Sequence, residues 1–469
     1  MPRAGWVKPE SDRRFSDLVS VGVLSRVFPA HLVDEVITEC GRTERRHRSL
    51  PARVMAYFAI GMALDASGSY EDVMAQLIDG LAWASGWSQE FGLPSASAIF
   101  QARARLGAEP IRRLFERVAV PLAGPEMAGA FLAGRRMVAI DGTTLDVADT
   151  AANEEFFTRP PHSRGEASAF PQARIVALAE CATHAVLAAR IGAYKQSEAA
   201  LTRDLVDHLG PSMLLIADRG FFSYKLWRQC AATGAGLLWR MRTDAKAPRP
   251  VHVADLLDGS WLAHLRRRTP AAERNRTPIT ARIIDYTVDD GRDQPTVYRL
   301  ATTLTDPSQV SAAELAAAYT RRWEIEMVFD ELKTHQRGPR MVLRSKSPEL
   351  VLQEIWGHLC CHYAIRALMG QAGLASGTDP GRISFTTALR TTRQTLAQPG
   401  AFPPDQPSQP GWAAMITRLC RRLLPPRRPR SNPRVIKRKV SKWPVKHRAH
   451  RHYPKPSHPP VYTINPALT

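Results

Sequence analysis

The sequence has few acidic residues for its many basic ones, no long apolar run and no closely paired cysteines. Its 44 Asp and Glu stand against 64 Lys and Arg, so the formal net charge is +20. Such an excess indicates a polyanionic partner, with nucleic acid ahead of an anionic membrane. No apolar run approaches the roughly 18 residues that a membrane span needs. The opening MPRAGWVKPE also lacks the apolar core of a secretory signal. We therefore expect a cytoplasmic, nucleoid-associated protein with no membrane partner.

The six cysteines form no C-x-x-C pair, a spacing that structural zinc sites commonly use. Scattered thiols without a secretory signal fit a reducing compartment. They argue against a zinc module. They stand at Cys40, Cys181, Cys230, Cys360, Cys361 and Cys420.

The periodicity of apolar residues changes along the chain and divides it into five segments. After a helical start, an antiparallel meander is followed by alternating helices and strands, which indicates an α/β fold with a mixed sheet flanked by helices. A β-rich insertion then interrupts this alternation. The five predicted segments are a helical N-terminal, DNA-binding domain at 1–130, the first part of the core at 131–240, the β-rich insertion at 241–305, the second part of the core at 306–400, and a basic, proline-rich, disordered tail at 401–469.

Arginines recur in the last two helices predicted for the N-terminal segment, one ending at Gly107 and the next opening near Pro110. These side chains would face DNA in one interpretation. In the other interpretation they form the solvent-exposed side of an ordinary amphipathic helical hairpin. They are Arg103, Arg105, Arg112, Arg113 and Arg117.

The tail at 401–469 has 15 Lys and Arg and a single acid, Asp405, and so contributes +14 of the net charge. Such a segment has too little apolar surface to fold alone. We interpret it as an arm that binds nucleic acid in preference to a merely solubilising extension. Four histidines without cysteine partners or regular spacing belong to this arm, namely His447, His450, His452 and His458.

A helix is predicted from the capping box Ser311-x-x-Glu314 to about His335, before Gly338-Pro339. Its buried stripe follows the spacing i, i+3, i+4, i+7. The residues of that stripe are Ile325, Val328, Phe329 and Leu332.

A polar stripe lies beside this buried one, formed by Tyr319, Arg322, Glu326 and Lys333. In an ideal helix, with about 100° per residue, all four share one narrow face. An intrahelical salt bridge, from Glu326 to Arg322 or from Asp330 to Lys333, would explain the charges without function. The alternative is a carboxylate that holds a metal beside a phosphate.

Two aspartates follow apolar runs, Asp141 after MVAI and Asp218 after LLIA. A carboxylate at the end of a buried strand is costly unless a metal or hydrogen bonds compensate. Each also has an ordinary explanation. Asp141-Gly142 is a common hairpin turn, and Asp218 would suit the N-cap of a following helix.

Taken together, Asp141, Asp218 and Glu326 fit a pair of Mg²⁺ ions better than these separate explanations. Magnesium prefers hard oxygen ligands and completes its shell with water and substrate phosphate. Without metal, clustered carboxylates would raise one another's pKa values. Arg322, with its planar fork, and Lys333, as a point charge, suit a phosphodiester next to that centre.

These motifs resemble the signature regions of bacterial insertion-sequence transposases, the IS-four type of DDE enzyme. The likeness lies in AIDGTTL around Asp141, in IADRGF around Asp218, and in Y-x2-R-x3-E-x6-K from Tyr319 to Lys333. It extends over roughly residues 10–400, because the helical N-terminal region also resembles that of the group.

The resemblance implies an RNase H-like core interrupted by the β-strand insertion, and cut-and-paste transposition as the activity. Asp141, Asp218 and Glu326 would bind two Mg²⁺ ions, with Mn²⁺ as a substitute. Tyr319, Arg322 and Lys333 would hold backbone phosphate.

The implied partners are double-stranded DNA, as terminal inverted repeats and as target, and a second copy of the chain in a homodimer on DNA. In relatives a tryptophan from the insertion stacks on a flipped base. Trp239 and Trp261 could be its counterparts, but no motif places either one, so neither is included in the predicted site. Two alternatives remain. One is a domesticated or catalytically silent DNA-binding protein, and the other is an RNase H-like nuclease without strand transfer.

Overall fold

The computed structural model divides the chain into two units that alternate along the sequence. The first unit contains Met1–Ala130, Asp141–Leu205 and Ile325–Pro425. The second contains Phe131–Ile140, Val206–Glu324 and Pro426–Thr469. The structure describes residues 22–45, 50–84, 93–161, 168–242, 249–266, 278–289, 296–338, 341–396, 410–425, 458 and 461–465.

Helices predominate in the first unit, as the apolar periodicity predicts. In chain order the α-helices of both units are α1 (Ala30–Glu39), α2 (Ala52–Leu64), α3 (Tyr70–Ala84), α4 (Ala96–Leu106), α5 (Glu109–Val118), α6 (Ala151–Phe157), α7 (Glu198–Arg203), α8 (Tyr224–Ala232), α9 (Ala312–Tyr319), α10 (Trp323–Asp330), α11 (Pro348–Ser376), α12 (Phe385–Leu396) and α13 (Pro410–Cys420).

The strands follow the order that the alternating segments predict. They are β1 (Phe131–Leu132), β2 (Arg135–Asp146), β3 (Gln172–Glu180), β4 (Val186–Ala193), β5 (Met213–Ala217), β6 (Gly236–Arg240), β7 (Arg249–Asp255), β8 (Trp261–Arg266), β9 (Ile279–Asp289), β10 (Thr296–Thr302) and β11 (Val461–Asn465).

Strand β2 begins in the second unit and ends in the first. In the first unit the strand order is β4-β3-β2, and β3 and β4 are antiparallel. In the second unit the order is β2-β5-β6-β10-β9-β8-β7. Strands β2, β5 and β6 run parallel, and the strands beyond β6 pair antiparallel.

The predicted α/β architecture is confirmed: a mixed sheet with helices, a helical N-terminal region and a β-rich insertion. The insertion contributes β7 to β10, and it continues the sheet because β10 pairs directly with β6. No helix among the described ranges combines the length and the apolarity that crossing a membrane would require.

The core of the first unit lies where α2 and α11 pack together. All but one residue of α2 are buried, and so are most residues of the first six turns of α11. Gly357 permits the close approach, since a Cβ there would lie 2.5 Å from the carbonyl oxygen of Ala59. A larger residue at position 357 would therefore push the two helices apart.

For Arg103, the structure contradicts both interpretations of the arginines in the N-terminal helices, a DNA surface and a solvent-exposed basic side. Its side chain is fully buried in the first unit. The guanidinium donates to Gln353 at 2.9 Å, to Ser345 at 3.2 Å and to the hydroxyl of Tyr70. A buried cation is tolerated only where its donors are satisfied in this way. Arg103 therefore belongs to the core and not to a DNA surface.

The three arginines of α5 are paired with acids. Arg112 forms ion pairs with Glu109 and Glu116, and Arg117 pairs with Glu39 at 2.6 Å. The basic face of α5 is thus largely neutralised within the protein.

The basic segment 401–469 contains two ordered elements, which differs from the expectation of a wholly unfolded tail. One is α13, and the other is β11, which pairs antiparallel with β9 from Val461↔Asp289 to Asn465↔Asp285. Both segments have alternating or helical apolar residues that pack on an existing framework, which composition alone does not reveal. Most of the basic residues between them lie outside the described residues.

Candidate active site

Asp141 lies within β2, and Asp218 comes directly after β5. These strands are parallel, and Ile140 pairs with Ala217 in their register. Asp141 directly follows Ile140, and Asp218 directly follows Ala217. In open sheets of parallel strands, ligands bind outside the carboxyl ends of the strands. Asp218 thus has the position that a functional carboxylate would need, at the carboxyl end of its strand, whereas Asp141 lies inside β2.

The ordinary explanations of the two aspartates do not hold. Asp141-Gly142 is not a hairpin turn, because β2 continues without interruption to Asp146. Asp218 is not the cap of α8, because Ser223 has that role and its hydroxyl accepts from the amide of Leu226. The Asp218 carboxylate instead accepts at Oδ1 from the amide of Arg219 at 2.7 Å.

Tyr319 is brought together with Asp218 in the second unit. Its ring is buried, and its hydroxyl donates to Oδ1 of Asp218 at 3.5 Å. Burial raises the pKa of Tyr319, although the Arg322 guanidinium acts in the opposite direction. The phenol therefore stays protonated across the physiological range and remains a hydrogen-bond donor.

The helix that carries the four polar residues is less regular than predicted. It consists of α9, a 3₁₀ turn (Thr320–Arg322), α10 and a π-helical turn (Glu331–Gln336). A 3₁₀ turn advances about 120° per residue and a π turn less than an α-helix, so uniform 100° steps do not apply. Tyr319 and Arg322 are buried as a result, whereas Glu326 is exposed. The predicted capping box of Ser311 and Glu314 is present at the start of α9.

Arg322 ends the 3₁₀ turn, and its guanidinium lies 4.2 Å from the ring centroid of Trp323. Stacking on an aromatic ring holds the planar fork in one orientation. A fixed fork is suited to two parallel hydrogen bonds with a phosphate.

Lys333 lies in the π turn of the first unit and reaches back to β2. Its Nζ donates to Oγ1 of Thr143 at 3.1 Å, two residues beyond Asp141. Burial lowers the pKa of Lys333, Arg337 lowers it further, and Asp146 opposes both. The contact therefore ties the helix that carries Glu326 to the strand that carries Asp141, within one unit.

Arg240 is a cation near this site that sequence reasoning missed. It ends β6, and the register pairs its neighbour Trp239 with Ala217, so Arg240 belongs to the same strand edge as Asp218. Its guanidinium lies 4.3 Å from the ring centroid of Tyr298 and also lowers the pKa of Tyr319. The sequence feature that could have identified Arg240 is its position directly after the apolar run GLLW.

Neither candidate tryptophan offers a ring face to DNA. Trp239 is fully buried and packs edge-on against Trp227, with ring centroids 5.2 Å apart. Trp261 is 4% exposed and stacks on His252, and its Nε1 lies 3.4 Å from Asp285. Both rings are part of the sheet packing.

The metal prediction rests on the chemistry of the donors. Asp141, Asp218 and Glu326 supply carboxylate oxygens, which are ligands that Mg²⁺ prefers. In the part of the chain that the structure describes, no three His, Cys, Asp or Glu side chains are grouped as a ready metal site. The three-carboxylate centre therefore stays a prediction.

Comparisons with known proteins agree with the motifs. Residues 18–116 match the family model described as Insertion element 4 transposase N-terminal. Residues 132–364 match the model described as Transposase DDE domain, and all six predicted site residues lie within this range.

Two relatives from Escherichia coli (strain K12) extend this result. Transposase InsG for insertion sequence element IS4 is 30% identical over 88% of this chain and 91% of its own length. Putative transposase InsZ is 24% identical over 46% of this chain and 70% of its own. A cryo-EM structure of the piggyBac transposase synaptic complex with hairpin DNA has a TM-score of 0.43 and 12% identity, covering 87% of this chain and 86% of that one.

The length of the match to the IS4 transposase and the two family models together lead to one conclusion. The chain belongs to the IS4 family of DDE transposases, enzymes that bind DNA and that use divalent metal ions to cut and transfer its strands.

Proposed function

We propose that this transposase moves an insertion sequence by a cut-and-paste route, in which water and then a DNA 3′-hydroxyl attack phosphodiesters. Asp141, Asp218 and Glu326 are the proposed catalytic carboxylates. The observation that supports the proposal is the parallel register of Ile140 with Ala217, the residues that directly precede Asp141 and Asp218 in the sequence.

The same three carboxylates are the proposed ligands of two Mg²⁺ ions, with Mn²⁺ as a substitute. When bound, such ions activate the attacking hydroxyl and stabilise the leaving oxygen of an in-line displacement. Asp218 accepts from Arg219 and from Tyr319 at Oδ1, so its other oxygen, Oδ2, suits a metal. Magnesium keeps several sites for water and phosphate, so few protein ligands suffice.

Three side chains would hold the DNA backbone phosphate. Tyr319 would turn its single hydroxyl proton from Asp218 to the phosphate, Arg322 would present a fixed fork, and Lys333 would supply a point charge. Together they would orient the phosphodiester for attack and neutralise charge that develops during displacement.

The proposed partners are double-stranded DNA with the terminal inverted repeats of the element, and target DNA. Two ends must be joined to one target, and a homodimer on DNA would bring them together. The excess of positive charge supports such a long DNA contact.

The test is an assay of cleavage and joining. A duplex with the inverted repeats of the element is incubated with Mg²⁺ or Mn²⁺ and a target plasmid. We expect cleavage at the element ends and covalent joining of the freed 3′ ends to the target. Cleavage without joining would favour the nuclease alternative, and binding without cleavage would favour the catalytically silent one.

The lowered pKa of Lys333 predicts a pH effect. An ordinary lysine keeps its charge to high pH, but burial makes this ammonium lose its proton earlier as the pH rises. Cleavage should therefore decline on the alkaline side, and Lys333→Arg should extend activity to higher pH because guanidinium stays protonated. The measurement is the cleavage rate against pH, with exposed Lys225→Arg on α8 as the control. Identical alkaline limbs for Lys333→Arg and the wild type would contradict this role.

A further inference from the structure

A buried charged cluster in the first unit lies directly behind the helix that carries Glu326. We define the Glu331 cluster as Glu331, His184, His362 and Arg366, all of them buried. The Glu331 carboxylate is 3.1 Å from Nδ1 of His184 at Oε1, and it accepts from Nε2 of His362 at 3.0 Å at Oε2. Arg366 donates to both carboxylate oxygens. The Arg366 guanidinium also lies 2.7 Å from Nδ1 of His184, so Arg366 bridges the carboxylate and this histidine.

The protonation of the cluster follows from its contacts. Burial raises the pKa of Glu331, but the Arg366 guanidinium and the histidines more than offset this, so the pKa lies well below its usual range. Burial lowers the pKa of His362, and its Nδ1 has no partner among the described residues. His362 is therefore a neutral ring that donates from Nε2 to an ionised carboxylate.

The cluster joins three parts of the first unit. Glu331 opens the π turn that also carries Lys333, and it comes five residues after Glu326. His362 and Arg366 lie one turn apart on α11. His184 lies in the turn between β3 and β4, in the left-handed region with φ of 62°. A non-glycine residue in that conformation persists only where its surroundings hold it.

A contribution to the stability of the fold does not by itself account for a buried charged cluster of this kind. Buried ion pairs are often no better for stability than well-packed apolar residues, because desolvation offsets their attraction. What they supply is a directional constraint, and here the constraint acts on a helix with an irregular turn. π turns of this kind are frequent at functional sites.

We propose that Glu331 is a positioning residue, which anchors the π turn to α11 and the β3–β4 turn and thereby fixes where Glu326 and Lys333 lie. Because Glu331 is buried, this role requires no contact with substrate or metal. Glu331 acts on one side of the helix, while the contact of Lys333 with Thr143 acts on the other. The inference rests on the proposed function, in which Glu326 binds metal and Lys333 binds phosphate.

The test separates position from stability with two variants and a control. Glu331→Asp keeps the charge but shortens the side chain by one methylene. Glu331→Gln combined with Arg366→Met removes both buried charges together, a change that often leaves stability intact. The control is Glu354→Gln, another buried acid, on the same helix as Arg366 but bonded to Ser345 at 2.6 Å and away from the cluster.

Each full-length variant is compared with the wild type for melting temperature, metal-free DNA affinity, cleavage rate and the rise in melting temperature on adding Mn²⁺. We expect both Glu331 variants to bind DNA as the wild type does and to cleave it roughly 100-fold more slowly, since small misplacements have effects of that order. The Mn²⁺-induced stabilisation should shrink in both and stay normal in Glu354→Gln.

Cleavage and Mn²⁺ response that follow the melting temperature across all variants would overturn the proposal, because the cluster would then be structural only. Should the double variant fail to fold, Glu331→Asp decides the matter by the same comparison. Absence of cleavage in the wild type and in Glu354→Gln would instead count against the proposed function.

Discussion

Replacement of Asp141 or Asp218 by Asn, or of Glu326 by Gln, should abolish DNA cleavage and strand transfer while leaving DNA binding nearly intact. The amides keep the size of each side chain but remove the charge that holds a divalent cation. Metal ions supply several kcal/mol of charge stabilisation, and each ~1.4 kcal/mol is tenfold in rate, so we expect a loss of about a thousandfold or more.

The measurement is the rate of cleavage and joining with inverted-repeat DNA, beside metal-free binding by gel shift. Asp149→Asn is the matched control, because Asp149 lies just beyond β2 but is exposed and pairs with Arg159. Unchanged strand transfer in any of the three variants would remove that residue from the site.

The second large effect concerns the basic stretch from Arg427 to Lys455, which contains 12 Lys and Arg and no acid. Replacing all twelve by Gln should weaken DNA binding strongly and flatten its dependence on salt. If half of them contact phosphates, the slope of log K against log salt becomes less steep by about 5. The substitutions leave α13 and β11 unchanged, which truncation after residue 400 would not.

Salt titrations of DNA affinity check this prediction. The control replaces Arg112, Arg113 and Arg117 by Gln, since these cations already pair with Glu109, Glu116 and Glu39 in the folded protein. The control should change the slope little. An unchanged slope in the twelvefold variant would show that the stretch does not bind phosphate and only solubilises the chain.

Local patterns in the sequence predicted those parts of the fold that depend on neighbouring residues. The capping box at Ser311, the end of α4 at Gly107 and the acids after apolar runs are features of this kind. The strand position of Asp141 could be predicted because four apolar residues precede it. The sequence could not show whether Asp141 lies in a continuous strand or in a hairpin turn, because the continuation of β2 to Asp146 depends on pairing with distant strands.

Features that depend on distant partners escaped prediction. The sequence around Arg103 is typical of a surface arginine. Its burial depends on hydrogen bonds to Gln353 and Ser345, which are distant in the sequence. The position of Arg240 at the same strand edge as Asp218 follows only from the register of β6 with β5. The π turn that begins at Glu331 coincides with buried partners from other parts of the chain, His184 and Arg366, which a helical period does not encode.

The pairing of β11 with β9 has a consequence for self-association. Val461–Asn465 cover the backbone of β9 from Asp285 to Asp289, which would otherwise offer unpaired N–H and C=O groups at a strand edge. A variant in which β11 cannot pair would keep this edge open, ready to pair with a strand of another chain.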